Sequence, residues 1–480
     1  MKYKISILLF LILGLMACTE DFQEINTNPN APVDVQPSLL LRQVQWDYAE
    51  QMSYEGFVAG NLLGQYFTAI DFNLFDRHSL TESQFGGNPW DILYVNLRDN
   101  EIILEKSQES AALAVYEGPA RILKAYMSAA LTDIFGDVPY SEAFSGKSSG
   151  IISPVYDDQE AIYTTTGGIL DNLDQGITAI ENYQGPTPLE GDIIFNGDLS
   201  AWVKFANALK LKYLMRISDR VDVSAQIAAI FQEGNFIQTN ADNAAFDFGG
   251  PPNNFRMSTA RVGDYNVYIM SETIEEVLKQ LNDPRIAVFF RPTGNDPGEY
   301  NGLLNGPDAS QLSITVADYS LTGRIWREEA TQLDANYMTA AETHFILAEA
   351  AQKGLITANA KALYEEGVRL SFAYWQASLP DDYLISGSAA FGTDEANPIE
   401  QIITQKWLHN IGNGYEGWIE YRRTGFPALK TVAASLNNDL IPVRMPYPTT
   451  EATLNRGNYE QAAQVSNGNS VNSAVWWDMN

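Results

Sequence analysis

The chain has 480 residues, with 60 Asp and Glu against 30 Lys and Arg, a formal net charge of −30 at pH 7. A surface that acidic repels phosphate backbones and anionic lipid, which argues against nucleic-acid binding and polybasic membrane docking. A 45% hydrophobic share excludes a disordered chain, and a single cysteine excludes an internal disulfide or a cysteine-rich metal site.

The chain opens with an address. Lys2 and Lys4 precede an apolar run from Ile5 to Met16 that is too short to span a bilayer. The run ends at Leu15-Met16-Ala17-Cys18, which resembles a bacterial lipobox, with Met16 a mild departure from the usual small residue. Residues 1–17 are expected to be a signal peptide and Cys18 the lipidated first residue of the mature protein. Glu20 and Asp21 resemble the surface-export signal of some Gram-negative lipoproteins. Residues 18–35, with Asn-Pro-Asn and Ala-Pro, read as a polar tether.

Helical periodicity then recurs at 36–66, 88–109, 111–135, 157–182, 199–220, 224–233, 271–281, 338–353, 358–378 and 399–411. In the run 199–220, Trp202, Phe205, Leu209 and Tyr213 recur every three or four residues, and Asp198 to Ser200 supplies a cap. Between Ala341 and Trp375, two helices carry small residues at their expected crossing and an aromatic plug. That pattern resembles a tetratricopeptide-type repeat, and 111–135 with 157–182 is a looser second copy. Residues 64–88, 136–155, 236–270 and 286–336 are rich in Gly, Asn, Pro, Asp and aromatics. They read as long loops, with short strands expected near Ala244–Phe248 and Ser313–Val316. The expected fold is mainly α, a degenerate helical scaffold carrying an aromatic-rich loop layer over residues 36–480.

Catalytic patterns fail on context. Gly412-Asn-Gly414-Tyr-Glu-Gly417 matches a dinucleotide fingerprint, but a helical run precedes it and no βαβ unit surrounds it. Glu342-Thr-His344 lacks the second histidine of a zinc protease helix, and His78 and His409 have no ligand cluster beside them. Neither a metal nor a cofactor is expected. Paired carboxylates are too common among 60 acids to indicate a glycosidase.

Aromatic residues make up 11% of the chain, and many fall in loops. A sugar ring has an apolar C–H face and a hydroxyl rim, which a flat aromatic with nearby Asn, Asp or Arg matches. Phe72, Phe75, Trp90, Tyr300 and Trp326 are the stacking candidates. Asn73, Asp76, Asn301 and Arg324 are the candidate hydrogen-bonding partners. The competing reading is that these aromatics pin the loops to the scaffold.

A family resemblance rests on motifs spread along the chain. They include the lipobox with Thr27-Asn-Pro-Asn30, Asp133-Ile-Phe-Gly-Asp-Val-Pro-Tyr140, Trp202 to Asn207, and Arg216. Asp283-Pro-Arg285, Gln405-Lys-Trp407, Glu416-Gly-Trp418, Tyr421-Arg-Arg423, Ile441 to Arg444 and Trp476-Trp477-Asp478 follow in order. Together they resemble SusD/RagB-type lipoproteins, in the branch of nutrient-binding outer-membrane proteins. The resemblance implies a non-enzymatic receptor, lipid-anchored in the outer membrane and facing the cell exterior. Such a receptor captures glycan, or peptide in RagB-type members, and passes it to a SusC-like TonB-dependent transporter. It transfers no ligand-contacting residue, because the motifs read as structural. A carbohydrate-active enzyme and a purely structural lid are the alternatives from other classes, separable by turnover or by absence of binding.

Overall fold

The computed structural model describes residues 35–80, 86–308, 310, 313–392 and 397–480. Cys18, the signal and tether up to residue 34, and Phe85 lie outside the described residues.

The architecture is mainly α. The longer helices are α1 (Pro37–Glu55), α2 (Trp90–Ser107), α3 (Glu117–Phe135), α4 (Ile169–Asn182), α5 (Leu199–Ile217) and α6 (Ser224–Glu233). They continue with α7 (Glu272–Leu281), α8 (Ala340–Gln352), α9 (Ala360–Tyr374), α10 (Pro398–His409), α11 (Glu416–Thr424) and α12 (Arg456–Val465). In α1, Leu41, Val44, Tyr48, Ala49 and Met52 face inward, the spacing of one helical stripe. Asp198 caps α5 by accepting the Ser200 and Ala201 N–H groups, as its sequence position predicted. One expected helix, 157–182, is interrupted: Gly167, at φ 79°, separates Gln159–Thr164 from α4.

The paired helices pack as a tetratricopeptide-type scaffold. The α3–α4 crossing uses Gly118 and Gly176: a Cβ on Gly118 would stand 2.8 Å from the Gly176 carbonyl oxygen. In the α8–α9 pair the plug is Phe345, whose ring lies where a Gly367 Cβ would approach to 2.8 Å. Two of the fingerprint-like glycines, Gly412 and Gly417, serve packing, whereas Gly414 sits at φ 52° with open space at its Cβ position. α1 passes into a π-helical turn at Gly56–Gly60, and a Cβ on Gly56 would meet Gly414 N at 2.6 Å. Gly417 lies against Tyr66 and Gly412 against Trp326.

Six short strands among the described residues pair in three antiparallel ribbons: β1 (Phe67–Ala69) with β5 (Tyr268–Met270), β2 (Val138–Pro139) with β3 (Tyr156–Asp157), and β4 (Ala244–Asp247) with β6 (Asp334–Met338). The strand expected at Ser313–Val316 is absent. Residues 313–315 are irregular and Val316–Asp318 is a 3-10 turn, closed by the Asp318 N–H on the Thr315 carbonyl. A β-branched run needs a partner edge and a buried face to become a strand, and Thr315 and Val316 are exposed.

Candidate functional site

Pairing of β1 with β5 brings the two aromatic loop stretches together. Phe67 stands opposite Met270 and Ala69 opposite Tyr268. The join is locked by Asp76, whose buried carboxylate accepts from Thr68 Oγ1 at 2.7 Å, Ala69 N at 3.0 Å, Gly306 N at 2.7 Å and Asn305 Nδ2. Burial pushes the Asp76 carboxyl up to about 6, against the pull of those donors. Asn73 adds a second tie, its Nδ2 donating to the Ala69 and Pro307 carbonyls at 3.1 and 2.6 Å.

Beside this join lies a cleft of about 260 Å³ between the end of α1, the turn after β1 and the loop before β5. Phe72 forms one lip. It is 54% exposed and sits at φ 48°, a left-handed conformation that costs a β-carbon residue ~1–2 kcal/mol. Tyr54 forms part of the wall, with the Arg256 guanidinium carbon 4.0 Å from its ring centroid. Arg256 Nη1 donates to Gln51 Oε1 at 3.3 Å, which orients the guanidinium. Asp264, in the cleft wall, accepts from Arg261 Nε and Nη2 at 2.8 and 2.9 Å. The floor is Val58 and Tyr268, the latter edge-on to Phe57 at 5.2 Å. Behind Tyr54, burial raises Glu55 to about 7 while the Gly87 N–H and Tyr415 hydroxyl donate to it. An aromatic lip, a cation–π wall and an apolar floor can clasp a ring with one flat C–H face and a hydroxyl rim.

Phe72, one of the stacking candidates, lines this cleft. Phe75, Trp90 and Trp326 correct the expectation of solvent-facing platforms, being only 8%, 5% and 2% exposed. Trp326 lies edge-on to Phe57 and Phe67 and donates from Nε1 to the Phe289 carbonyl at 3.1 Å. Trp90 lies edge-on to Phe135 at 5.0 Å, and Phe75 packs over Gly87. Burying that much aromatic area against the scaffold is worth more than exposing it. Asp76 is turned inward likewise. Tyr300 is half-buried against the core, and Asn301 spends Nδ2 on the Asp318 carbonyl at 2.8 Å. Arg324 is exposed and pairs with Glu329 at 2.8 Å. Tyr54 and Arg256 escaped sequence reasoning: Tyr54 ends a helical stripe, and Arg256 stands in an unpatterned Asn-Asn-Phe-Arg stretch.

Known proteins place this chain in a family. A sequence model of SusD-like proteins, described as starch-binding and associating with the outer membrane, matches residues 29–448. The chain belongs to the SusD-like family. No curated protein matches it. A solved chitin-binding protein is 26% identical, with a TM-score of 0.78, covering 93% of this chain and 100% of its own. A SusD homologue from Bacteroides fragilis is 23% identical with a TM-score of 0.80, over 92% of this chain and 100% of its own. A chitin-binding SusD homologue from Flavobacterium johnsoniae is 23% identical with a TM-score of 0.77, over 92% and 98%. The last two show the fold.

In this SusD-like protein the described motifs that carried the resemblance lie in the core, away from the cleft. Arg285 returns both Nε and Nη2 to Asp283, bonds Ser371 and Gln405, and stacks 4.4 Å from the Phe372 centroid. The guanidinium holds Asp283 below the usual carboxylate range even though burial opposes it. Arg216 joins Asp133 at 2.7 Å and Glu416 at 3.0 Å, while Trp477 Nε1 also donates to Asp133. Arg423 grips Glu349 with two 2.7 Å bonds. Buried charges paired in this way fix helix positions, and breaking one pair costs ~3–5 kcal/mol. Among the described residues, no group of three or more His, Cys, Asp or Glu could hold a metal ion, and no helix is long and apolar enough to cross a membrane.

Proposed function

We propose that this SusD-like protein is a non-catalytic receptor that captures glycan at the cell surface, held to the outer membrane by an acylated Cys18. It hands the glycan to a SusC-like TonB-dependent transporter. The observation that carries the ligand reading is Phe72: a large aromatic, half exposed, kept in left-handed backbone at the lip of a cleft walled by Tyr54 and Arg256. Backbone strain of that kind persists where the surrounding structure overdetermines it, and it concentrates at ligand clamps. Family membership and the 26%-identical chitin-binding relative support the choice of sugar. Affinity in so open a site is of micromolar order or weaker, because ordering costs offset the few contacts.

Two experiments test the reading. Retention on immobilised neutral polysaccharide should weaken severalfold in Phe72→Ala and Tyr54→Ala proteins, with the soluble sugar recovered at its original length. Affinity purification from native membranes should bring down a large β-barrel. Repeated recovery of the protein alone in mild detergent would contradict the transporter partnership.

A further inference from the structure

A second cleft, of about 650 Å³, opens between α7, the start of α10 and the segment around Pro427 to Lys430. Its volume falls within the ~300–1,000 Å³ typical of small-molecule sites. The base of this cleft is rigid. Gln405 lines it while accepting from Arg285 Nη2 at 2.7 Å and donating to the Tyr383 hydroxyl at 2.9 Å. Gln401 lines it while its Nε2 holds the Ser388 and Ala390 carbonyls at 3.1 and 2.9 Å. The Asp283–Arg285 network is thus the foundation of this cleft as well as a core tie.

The lining that remains available is chemically specific. Gln280, Thr404 and Ser388 line the cleft, and their amide and hydroxyl groups can each both donate and accept. Lys430 lines the cleft, but Glu272 and Glu276 each hold its Nζ at 2.6 Å and neutralise it. Glu400 adds a further exposed carboxylate, so the rim disfavours anions. Val277, Leu281 and Pro427 supply apolar surface for C–H groups.

We propose that this cleft is a second ligand site, taking a short neutral oligosaccharide separately from the Phe72 cleft. The ligand class rests on the glycan reading above; the existence and independence of the site do not. A hydroxyl-rich neutral chain satisfies paired donors and acceptors at every ring, and an acidic rim rejects its sulfated or uronic counterparts. Two sites on one receptor would let one polymer be held at two points, which raises avidity without new contacts.

The test uses single cysteine labels in a Cys18→Ser background, which leaves no other cysteine. An environment-sensitive fluorophore at Ile385→Cys reports on this cleft, beside Ser388. The same label at Val262→Cys reports on the first, beside Asp264. Each protein is titrated with malto-, cello- and chito-tetraose and with a sulfated tetrasaccharide. The expected result is a saturable response at Ile385→Cys to a neutral tetrasaccharide and none to the sulfated one. Adding Gln280→Ala and Thr404→Val should weaken that response about tenfold, with melting temperature and the Val262→Cys response unchanged. Silence at Ile385→Cys overturns the second site, whether or not the Val262 label responds. A response that survives the paired substitutions, or that sulfated sugar matches, overturns it too. A response at Ile385→Cys alone sustains the second site and sinks the placement of the first.

Discussion

Replacing Phe72 by glycine separates ligand binding from packing. At φ 48° a residue with a β-carbon carries ~1–2 kcal/mol of local strain, which glycine relieves. Glycine returns ~0.5–1 kcal/mol of that through its freer unfolded chain. The half-covered ring forfeits about 1 kcal/mol of burial, taking half of the value for a fully buried phenylalanine. The Phe72→Gly protein should therefore unfold within about 1 kcal/mol of the parent. Phe72→Ala keeps the strain and loses the ring, so it should be the less stable of the two. Binding should behave differently. Both variants lose the stacked face, worth ~1 kcal/mol or more, and so at least about a fivefold rise in Kd. Urea denaturation and calorimetric titration on the same preparations read the two quantities. A Phe72→Gly protein more than about 2 kcal/mol below the parent would mean that the ring is a packing residue. Parent-like affinity in both variants would remove Phe72 from the site.

Other outcomes follow from the same geometry. Trp326→Ala should cost ~3–5 kcal/mol of stability, seen as a lower urea midpoint, because the indole is buried among Phe57, Phe67 and Trp375. Arg285→Ala should cost a similar ~3–5 kcal/mol by leaving the buried Asp283 carboxylate unpaired. Burial pushes His78 down to about 4 and His409 to about 3, so the unfolded chain takes up protons first. Their contribution is full above the unfolded value and declines as pH falls from 6.5 toward 4, by ~2–3 kcal/mol per histidine at pH 4.5. Glu55 and Asp76, raised by burial, act in the opposite sense. Comparing the parent with His78→Asn, whose side chain tolerates the left-handed φ of 64°, isolates one histidine; an equal acid slope would refute it. Cys18→Ser should move the protein from the membrane fraction to the soluble fraction, and continued membrane retention would contradict the acyl anchor.

Much of the scaffold was legible in sequence because helical periodicity and glycine or alanine at crossings are local signals. The stripe Trp202, Phe205, Leu209 and Tyr213 became α5, and the Gly367 crossing became the α8–α9 contact. α11 was missed because Gly414, just ahead of it, and Gly417, in its first turn, read as a loop. Gly414 sits at φ 52°, its backbone met by Gly56 and Gly60 of the π-helical turn, and Gly417 is glycine for its close approach to Tyr66. The loop aromatics were the weakest part of the reading. Nothing in the letters distinguishes Phe72, turned out by a left-handed backbone, from Phe75 three residues on, turned in over Gly87. Tyr54 and Arg256 meet across about two hundred residues, through a β1–β5 pairing whose strands are three residues each. No local pattern encodes that meeting.

The receptor reading stands or falls on one titration. The Cys18→Ser protein is titrated calorimetrically with neutral tetrasaccharides, and the sugar is then chromatographed after long incubation with the protein. The expected result is saturable heat of micromolar to millimolar affinity, reduced to the share of the second cleft by combining Tyr54→Ala with Phe72→Ala, and sugar of unchanged length. Shortened sugar, or no heat with any neutral glycan, would contradict a non-catalytic glycan receptor.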